Sequence, residues 1–217
     1  GAGATGLPAA IAAREGGASV IVVEMNYDIG GHAIQSGGST PYGGGTSLQK
    51  KYGIEDSPEK FFMDIIRESE YRFSDREIIR KFCEESAPTF EFLVANGVMF
   101  PDRAPSYRSD TGEPARNRVA GPVWTAGVNE QSPVGANGTA LIRPLEASAR
   151  KLGVQFLLKH TMTALVREEP FAGRVLGVTA TTDGKVVNIR ATKGVILGTG
   201  GHSSNVTFRR IFDVRLT

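Results

Sequence analysis

Cysteine occurs once in 217 residues, at Cys83. A single thiol excludes intrachain disulfides and any cysteine-based metal cluster, and it fits a reducing compartment, so a cytoplasmic location is expected. Cys83 lies in a helical apolar pattern, which favours a buried core thiol over a nucleophile. Charge of one sign is also scarce, the formal net charge being +2. Without a basic stripe, and without aromatics interleaved among Lys or Arg, a nucleic-acid groove is excluded. No apolar run reaches the roughly 18 residues a membrane helix needs, and no leader pattern is present. A strand ahead of the first motif is lacking too. The chain opens directly on a glycine loop of a kind that normally follows a strand, so the first strand, and with it a larger parent protein, is expected upstream.

Glycine, by contrast, is abundant, with 27 copies. Gly1, Gly3 and Gly6 form a G-x-G-x-x-G loop. A helical pattern follows from about Thr5 to Glu15, with Leu7, Ala10 and Ile11 as its apolar face, Pro8 early enough to be tolerated, and Gly16-Gly17 as its stop. Next comes Ala18 to Glu24, whose run Val20, Ile21, Val22, Val23 reads as a parallel strand buried on both faces. Loop, helix, strand and terminal acid together make the fingerprint of a dinucleotide-binding βαβ unit. In it Gly1 allows the tight turn, Gly3 lets backbone approach a diphosphate, and Gly6 permits close helix packing. Unpaired amides and the positive helix end favour the anion without a basic side chain. Glu24 is placed to accept from ribose hydroxyls and to repel a 2′-phosphate, which points to a nucleotide of the NAD or FAD type.

The middle of the chain reads as helical. Ser57-Pro58-Glu59 starts one helix with Phe62, Ile65 and Ile66 as its apolar face. Ser74 and Glu77 match a capping box that opens a longer helix through Ile78, Phe82, Phe90 and Leu93, its aromatic residues expected in the core, ending at Gly97. From Phe100 to Asn137 no period holds, and five prolines interrupt the stretch. Segments this long without regular structure are usually functional or disordered, so substrate or cofactor contacts are expected there. After the Gly135 to Gly138 loop, Leu141, Leu145 and Ala149 resume helical spacing. Short strands follow near Val154 to Leu158 and Met162 to Val166. Arg174 to Thr182, Asp183-Gly184 and Lys185 to Ala191 read as a hairpin with a type I′ turn, with Val186, Val187 and Ile189 covering one side. Gly194 to Leu197 then reads as a buried strand, ended by Thr199, Gly200 and Gly201.

The order GAGATG, VIVVE, DIGGHAIQSGGS and KGVILGTGGHSSN resembles the FAD-binding domain of the fumarate reductase and succinate dehydrogenase flavoprotein superfamily. Its soluble relatives include flavocytochrome c fumarate reductases, urocanate reductase and 3-ketosteroid 1-dehydrogenases. The resemblance covers nearly the whole chain and implies an α/β, Rossmann-like FAD-binding domain. Its parallel central sheet would lack the first strand, and it would carry an antiparallel hairpin or meander and an inserted helical segment. Residues 1–217 would be the N-terminal part of that domain, without the capping domain or the C-terminal return.

Carried over by position, Gly1, Gly3, Ala4 and Gly6 would hold the pyrophosphate, Glu24 the ribose, and Met25 would flank the adenosine. Gly31, His32, Ala33, Ser36, Gly37 and Gly38 would line the ribityl and flavin side. Met162 occupies the place whose backbone meets adenine, and Thr199 with Gly200 would close the site from beneath. Relatives commonly have Asn, Thr or Ser where His32 stands, so His32 either donates to a phosphate or faces solvent. Membrane members attach FAD through a His at a spacing one residue longer, so non-covalent FAD is expected here. His160 and His202 read as surface or loop residues.

The activity implied is hydride transfer to or from a CH–CH bond beside a carbonyl or carboxylate, on a small-molecule substrate. Tyr107 is a candidate proton-transfer phenol, with an ordinary exposed loop tyrosine as the alternative. Arg103, Arg108, Arg116 and Arg118 suit either a substrate carboxylate or a solvated loop. A plain NAD-binding dehydrogenase domain and a non-catalytic flavin-binding module are the rival readings.

Overall fold

A computed structural model describes residues 1–72, 75–106, 117–123, 136–201, 205–212 and 215. Tyr107, Arg108, Arg116, His202, Ser74 and Gly135 lie outside these residues. In chain order the elements begin with α1 (Gly6–Glu15), β1 (Ile21–Val23), β2 (Thr40–Pro41), α2 (Ser47–Lys51), α3 (Pro58–Glu68) and α4 (Arg76–Ala95). They continue with β3 (Val119–Ala120), α5 (Ala136–Lys151), β4 (Gln155–Leu157), β5 (Thr161–Arg167), β6 (Val175–Thr182), β7 (Lys185–Arg190) and α6 (Val206–Arg209). The chain divides into two compact units, Gly1–Ala33 with Ala149–Thr217, and Ile34–Ser148.

In the first unit α1 forms as its spacing predicts, burying Leu7, Ala10 and Ile11. Truncating Leu7 or Ile11, both fully buried, would cost about 2–5 kcal/mol. Gly17, at φ 78, turns the chain out of the helix. Arg14 then ties the helix end to the strands, its Nε donating to the Leu152 carbonyl at 2.7 Å and its Nη1 to the Ala18 carbonyl at 2.8 Å. β1 runs parallel to β4, Ile21 opposite Gln155 and Val23 opposite Leu157. The expectation of burial on both faces fails here: Val22 is buried, but Ile21 is 45% exposed. Among the described residues β1 has a ladder partner on one edge only.

Among the described residues the antiparallel meander β5-β6-β7 is the sheet with the most strands. Its β6–β7 turn is Asp183-Gly184, at φ 46 and 74, the type I′ geometry that an Asp-Gly pair favours. Val187 and Ile189 share one face and are half-buried, whereas Val186 points to the other side and is exposed, a consequence of the strand's period of two. Residues 194–197 correct the sequence reading. They form no strand, and Ile196 is 66% exposed. Among the described residues no strand pairs with them, so no ladder holds their backbone, and only Val195 of the four is half-buried.

The second unit is built on α3 and α4. Ser57 caps α3, accepting from the Lys60 N–H, with Pro58 at the first position. The cap of α4 is Asp75, accepting from the Glu77 and Ile78 N–H groups, one residue later than the Ser74 the sequence suggested. The Asp75 carboxylate also suits the positive end of the helix dipole. Phe61, Phe62, Ile66 and Cys83 form one buried cluster between the two helices. Burial raises the Cys83 thiol to about 11, so this cysteine is a core residue. Phe90 is buried as expected, and Leu93 with it, but Phe82, at 45%, is exposed, which corrects its placement in the core, and Ile78 is 65% exposed. In α5 the buried residues are Ala140, Ile142, Leu145 and Ala149. The Gly138 expected in a loop lies inside that helix.

Candidate functional site

In the first unit the opening loop is a place of close backbone approach. A Cβ on Gly1 would lie 2.2 Å from the Gly198 carbonyl oxygen, and one on Gly6 would lie 1.8 Å from the Gly1 carbonyl oxygen. A Cβ on Gly198 would in turn lie 3.2 Å from the Gly6 nitrogen. Gly1 and Gly6 are therefore demanded by main chain, with Gly198 as the third member. The sequence reading named Thr199 and Gly200 instead; both are exposed. Its signal was available in the second glycine cluster, but only folding shows that this carbonyl meets the first. Gly3 differs, since a Cβ there would meet nothing nearer than the Gly30 carbonyl oxygen at 3.7 Å.

The loop delivers the chain into α1 with an uncapped end. Thr5 makes no side-chain cap hydrogen bond, and no acidic residue stands in the first turn. Amides at such an end, with the positive pole of the helix dipole behind them, suit an anion.

Glu24 closes β1 and is buried, 5% exposed. Its Oε2 accepts from the Ala2 N–H at 2.8 Å and its Oε1 from the Asn26 N–H at 2.9 Å. The backbone of Glu24 donates to the Leu157 carbonyl and accepts from the His160 N–H, each at 2.9 Å. A carboxylate offers about four lone-pair sites, so two remain for a hydroxylated ligand. The acid is thus bonded to the opening loop itself, and the strand that carries it is anchored by β4 and His160. His160 itself lies in the link between β4 and β5, half-buried, and its Nδ1 is bonded to the Leu158 carbonyl at 2.7 Å.

Chain 25–31 folds back over the same loop. The Gly30 N–H donates to the Ala2 carbonyl at 2.9 Å, and a Cβ on Gly31 would lie 3.8 Å from the Gly3 Cα. Met25 and Tyr27 project outward, exposed. His32 is exposed and Ala33 half-buried. Met162 is half-buried in β5, paired with Ala180. Loop, acid and return segment are therefore brought together within one unit.

In the second unit Ser36–Gly38 form a tight turn, the Ser36 Oγ accepting from the Gly38 N–H at 3.2 Å and the Ser36 carbonyl from the Gly138 N–H at 3.1 Å. Arg103 is exposed. Arg118 is not a loop cation awaiting a substrate. It is 7% exposed, its Nε and Nη2 fork onto Asp56 at 2.7 and 2.8 Å, and its Nη1 meets Asp64 at 2.8 Å. Burial pushes the Asp56 carboxyl up, but donors from Arg118, Gln49 and Gly44 outweigh it and hold the group below its ordinary value. Among the described residues no group of His, Cys, Asp and Glu is arranged to hold a metal ion, and no helix is long and apolar enough to cross a membrane.

Residues 1–213 match the model of a family described as the FAD binding domain. The chain belongs to that family. FAD binding domain relatives include the NADH:fumarate oxidoreductase of Klebsiella pneumoniae, 30% identical over 205 residues, which cover 94% of this chain and 20% of that protein. The urocanate reductase of Eggerthella lenta is 30% identical over 214 residues, 98% of this chain and 32% of its own length. Among solved structures, the 3-ketosteroid-Δ4-(5α)-dehydrogenase of Rhodococcus jostii RHA1, in complex with 4-androstene-3,17-dione, superposes with a TM-score of 0.82 at 30% identity, covering 97% of this chain and 47% of that one. The chain thus spans less than half the length of each. FAD is the cofactor of the family, and the residues present fit it: an uncapped helix end for the diphosphate, and a buried carboxylate with free lone pairs beside it.

Proposed function

We propose that this chain supplies the FAD-binding part of an oxidoreductase that moves hydride to or from a CH–CH bond next to a carbonyl or carboxylate. The bond from the Ala2 N–H to Glu24 carries the reading, because it joins the anion-binding loop and the ribose-type acid in one crevice. Gly1, Gly3, Ala4 and Gly6 would bind the diphosphate, and Glu24 the ribose. Met25 and the backbone of Met162 would meet the adenosine. Gly31, His32, Ala33, Ser36, Gly37 and Gly38 are assigned to the ribityl and flavin side, with Thr199 and Gly200 closing the site from below. Bound FAD supplies hydride transfer at the flavin ring. The chain's own residues bind, orient and leave the diphosphate uncontested by side-chain cations. The FAD is proposed to be held without a covalent link, with His32 exposed.

Relatives named for fumarate, urocanate and ketosteroid substrates support a small-molecule substrate with a conjugated or activated double bond. Tyr107 remains the proposed proton-transfer phenol. The single cysteine supports a cytoplasmic location.

The test uses the full-length protein. Purified, it should be yellow, release FAD on acid precipitation, and turn over at least one of fumarate, urocanate and a 3-ketosteroid with an artificial electron donor or acceptor. Flavin-loaded protein that turns over none of a broad CH–CH panel would favour a non-catalytic flavin module, and a colourless protein that binds NAD would favour a plain dehydrogenase domain.

A further inference from the structure

Five consecutive backbone amides, Tyr42 to Thr46, each have a named acceptor. Tyr42 donates to the Arg118 carbonyl at 2.8 Å, Gly43 to Ser86 Oγ at 3.0 Å, and Gly44 to Asp56 Oδ2 at 3.0 Å. Gly45 and Thr46 both donate to Gln49 Oε1, at 3.0 and 3.1 Å. Gly44 and Gly45 sit at φ 82 and 89, so no regular ladder prescribes this course; side chains do.

One residue stands behind most of them. Arg118 gives its carbonyl to Tyr42 and its flanking strand β3 to β2, Thr40 opposite Ala120 and Pro41 opposite Val119. Its guanidinium forks onto Asp56, which receives Gly44 and also the Gln49 Nε2–H at 2.9 Å. Gln49 is fully buried, and its Nε2 donates further to the Asn117 carbonyl at 3.2 Å. The guanidinium also lies 4.4 Å from the Phe61 ring centroid. Asp64 adds a second carboxylate to the same cation. Taking three charges from water for folding strength alone is a poor exchange, since well-packed apolar residues commonly do as well or better. What such a planar fork gives that apolar packing cannot is direction.

We propose that Arg118 is a positioning residue for the segment Ser36–Thr46, fixing the register of the Ser36–Gly38 turn that the proposed function assigns to the flavin. The inference rests on that assignment. Arg118 touches no flavin itself. It acts through β2 and through Asp56 and Gln49.

The experiment compares full-length wild type with Arg118→Lys and Asp64→Asn, reading FAD dissociation constant, visible absorption and circular dichroism of bound flavin, and amide exchange across 36–46. Lysine keeps the charge but cannot fork onto Asp56 while reaching Asp64. Arg118→Lys is expected to weaken FAD binding about tenfold or more, shift the flavin bands, and speed exchange at Gly43–Thr46, all at temperatures where the protein is folded. Asp64→Asn leaves the Asp56 fork and should give a smaller shift of the same sign, and it carries the test if the lysine variant does not fold. Variants that lose thermal stability while keeping FAD affinity and flavin bands would overturn the proposal, leaving a purely structural cluster. A colourless wild type would instead overturn the proposed function, and this inference with it.

Discussion

At Gly1 and Gly6 the side chain is absent to admit main chain: carbonyl oxygens of Gly198 and Gly1 stand where a Cβ would be, at 2.2 and 1.8 Å. At Gly43 the intruders would be side chains, the Phe61 ring at 2.6 Å and the Arg118 Cδ at 2.8 Å, and the course of Gly44 and Gly45 is held by Asp56 and Gln49. On the proposed function the first loop offers its outer amides to the diphosphate, and it uses one buried acid, Glu24, as its brace. The second spends its amides internally and is held by a buried ion cluster. A loop that must bind an anion keeps donors unspent, and one that must hold a shape spends them all.

Charge is the first way to break this contrast. Asp56→Asn removes the carboxylate that Arg118 forks onto, and should destabilise the protein by about 3–5 kcal/mol, read by denaturant unfolding. The sign with pH follows. The Asp56 carboxyl is held low in the folded state, so its contribution is complete above the unfolded value of about 3.9 and is lost as pH falls through the depressed folded value. Below about pH 4 the wild type should therefore lose stability more steeply than Asp56→Asn.

Gly6→Ala comes next, because backbone cannot yield as a side chain tip can; a loss of about 1–3 kcal/mol is expected, together with loss of FAD binding. Glu24→Gln replaces one accepting oxygen with an amide that faces a donor, either at Ala2 or at Asn26. Unfolding should show about 1–2 kcal/mol of destabilisation, and calorimetry a weaker affinity for FAD. Gly3→Ala sharpens the comparison most, since the added methyl meets nothing closer than 3.7 Å. Stability should change by less than about 0.5 kcal/mol, while FAD affinity falls because the methyl occupies the ligand's side. Equal losses of stability in Gly3→Ala and Gly6→Ala would show that the two glycines do not divide the work in this way.

Much of the first loop was legible because its signals are local. The G-x-G-x-x-G spacing, the Leu7, Ala10, Ile11 face and the Gly16-Gly17 stop lie within one turn or two of each other, and so do Asp183-Gly184 and its strands. Glu24 was legible as an acid ending an apolar strand. Its bond to Ala2 was not, for 22 residues separate the pair. Ile78 and Phe82 show the converse limit. Their helical spacing with Phe90 is sound, but a 20-residue helix turns more than one face to its neighbours, and periodicity alone does not say which turns are covered.

By itself, then, the sequence determined the helices with their stops, the hairpin turn, and a dinucleotide loop paired with an acid, because backbone propensity and capping act over a few residues. Tertiary structure alone decided that Gly198 meets the opening loop and that, among the described residues, 194–197 have no ladder partner. It also decided that Arg118, 62 residues from Asp56, is an internal brace. Each of those outcomes depends on which distant group arrives to fill a space or neutralise a charge, and composition near the residue carries no record of it.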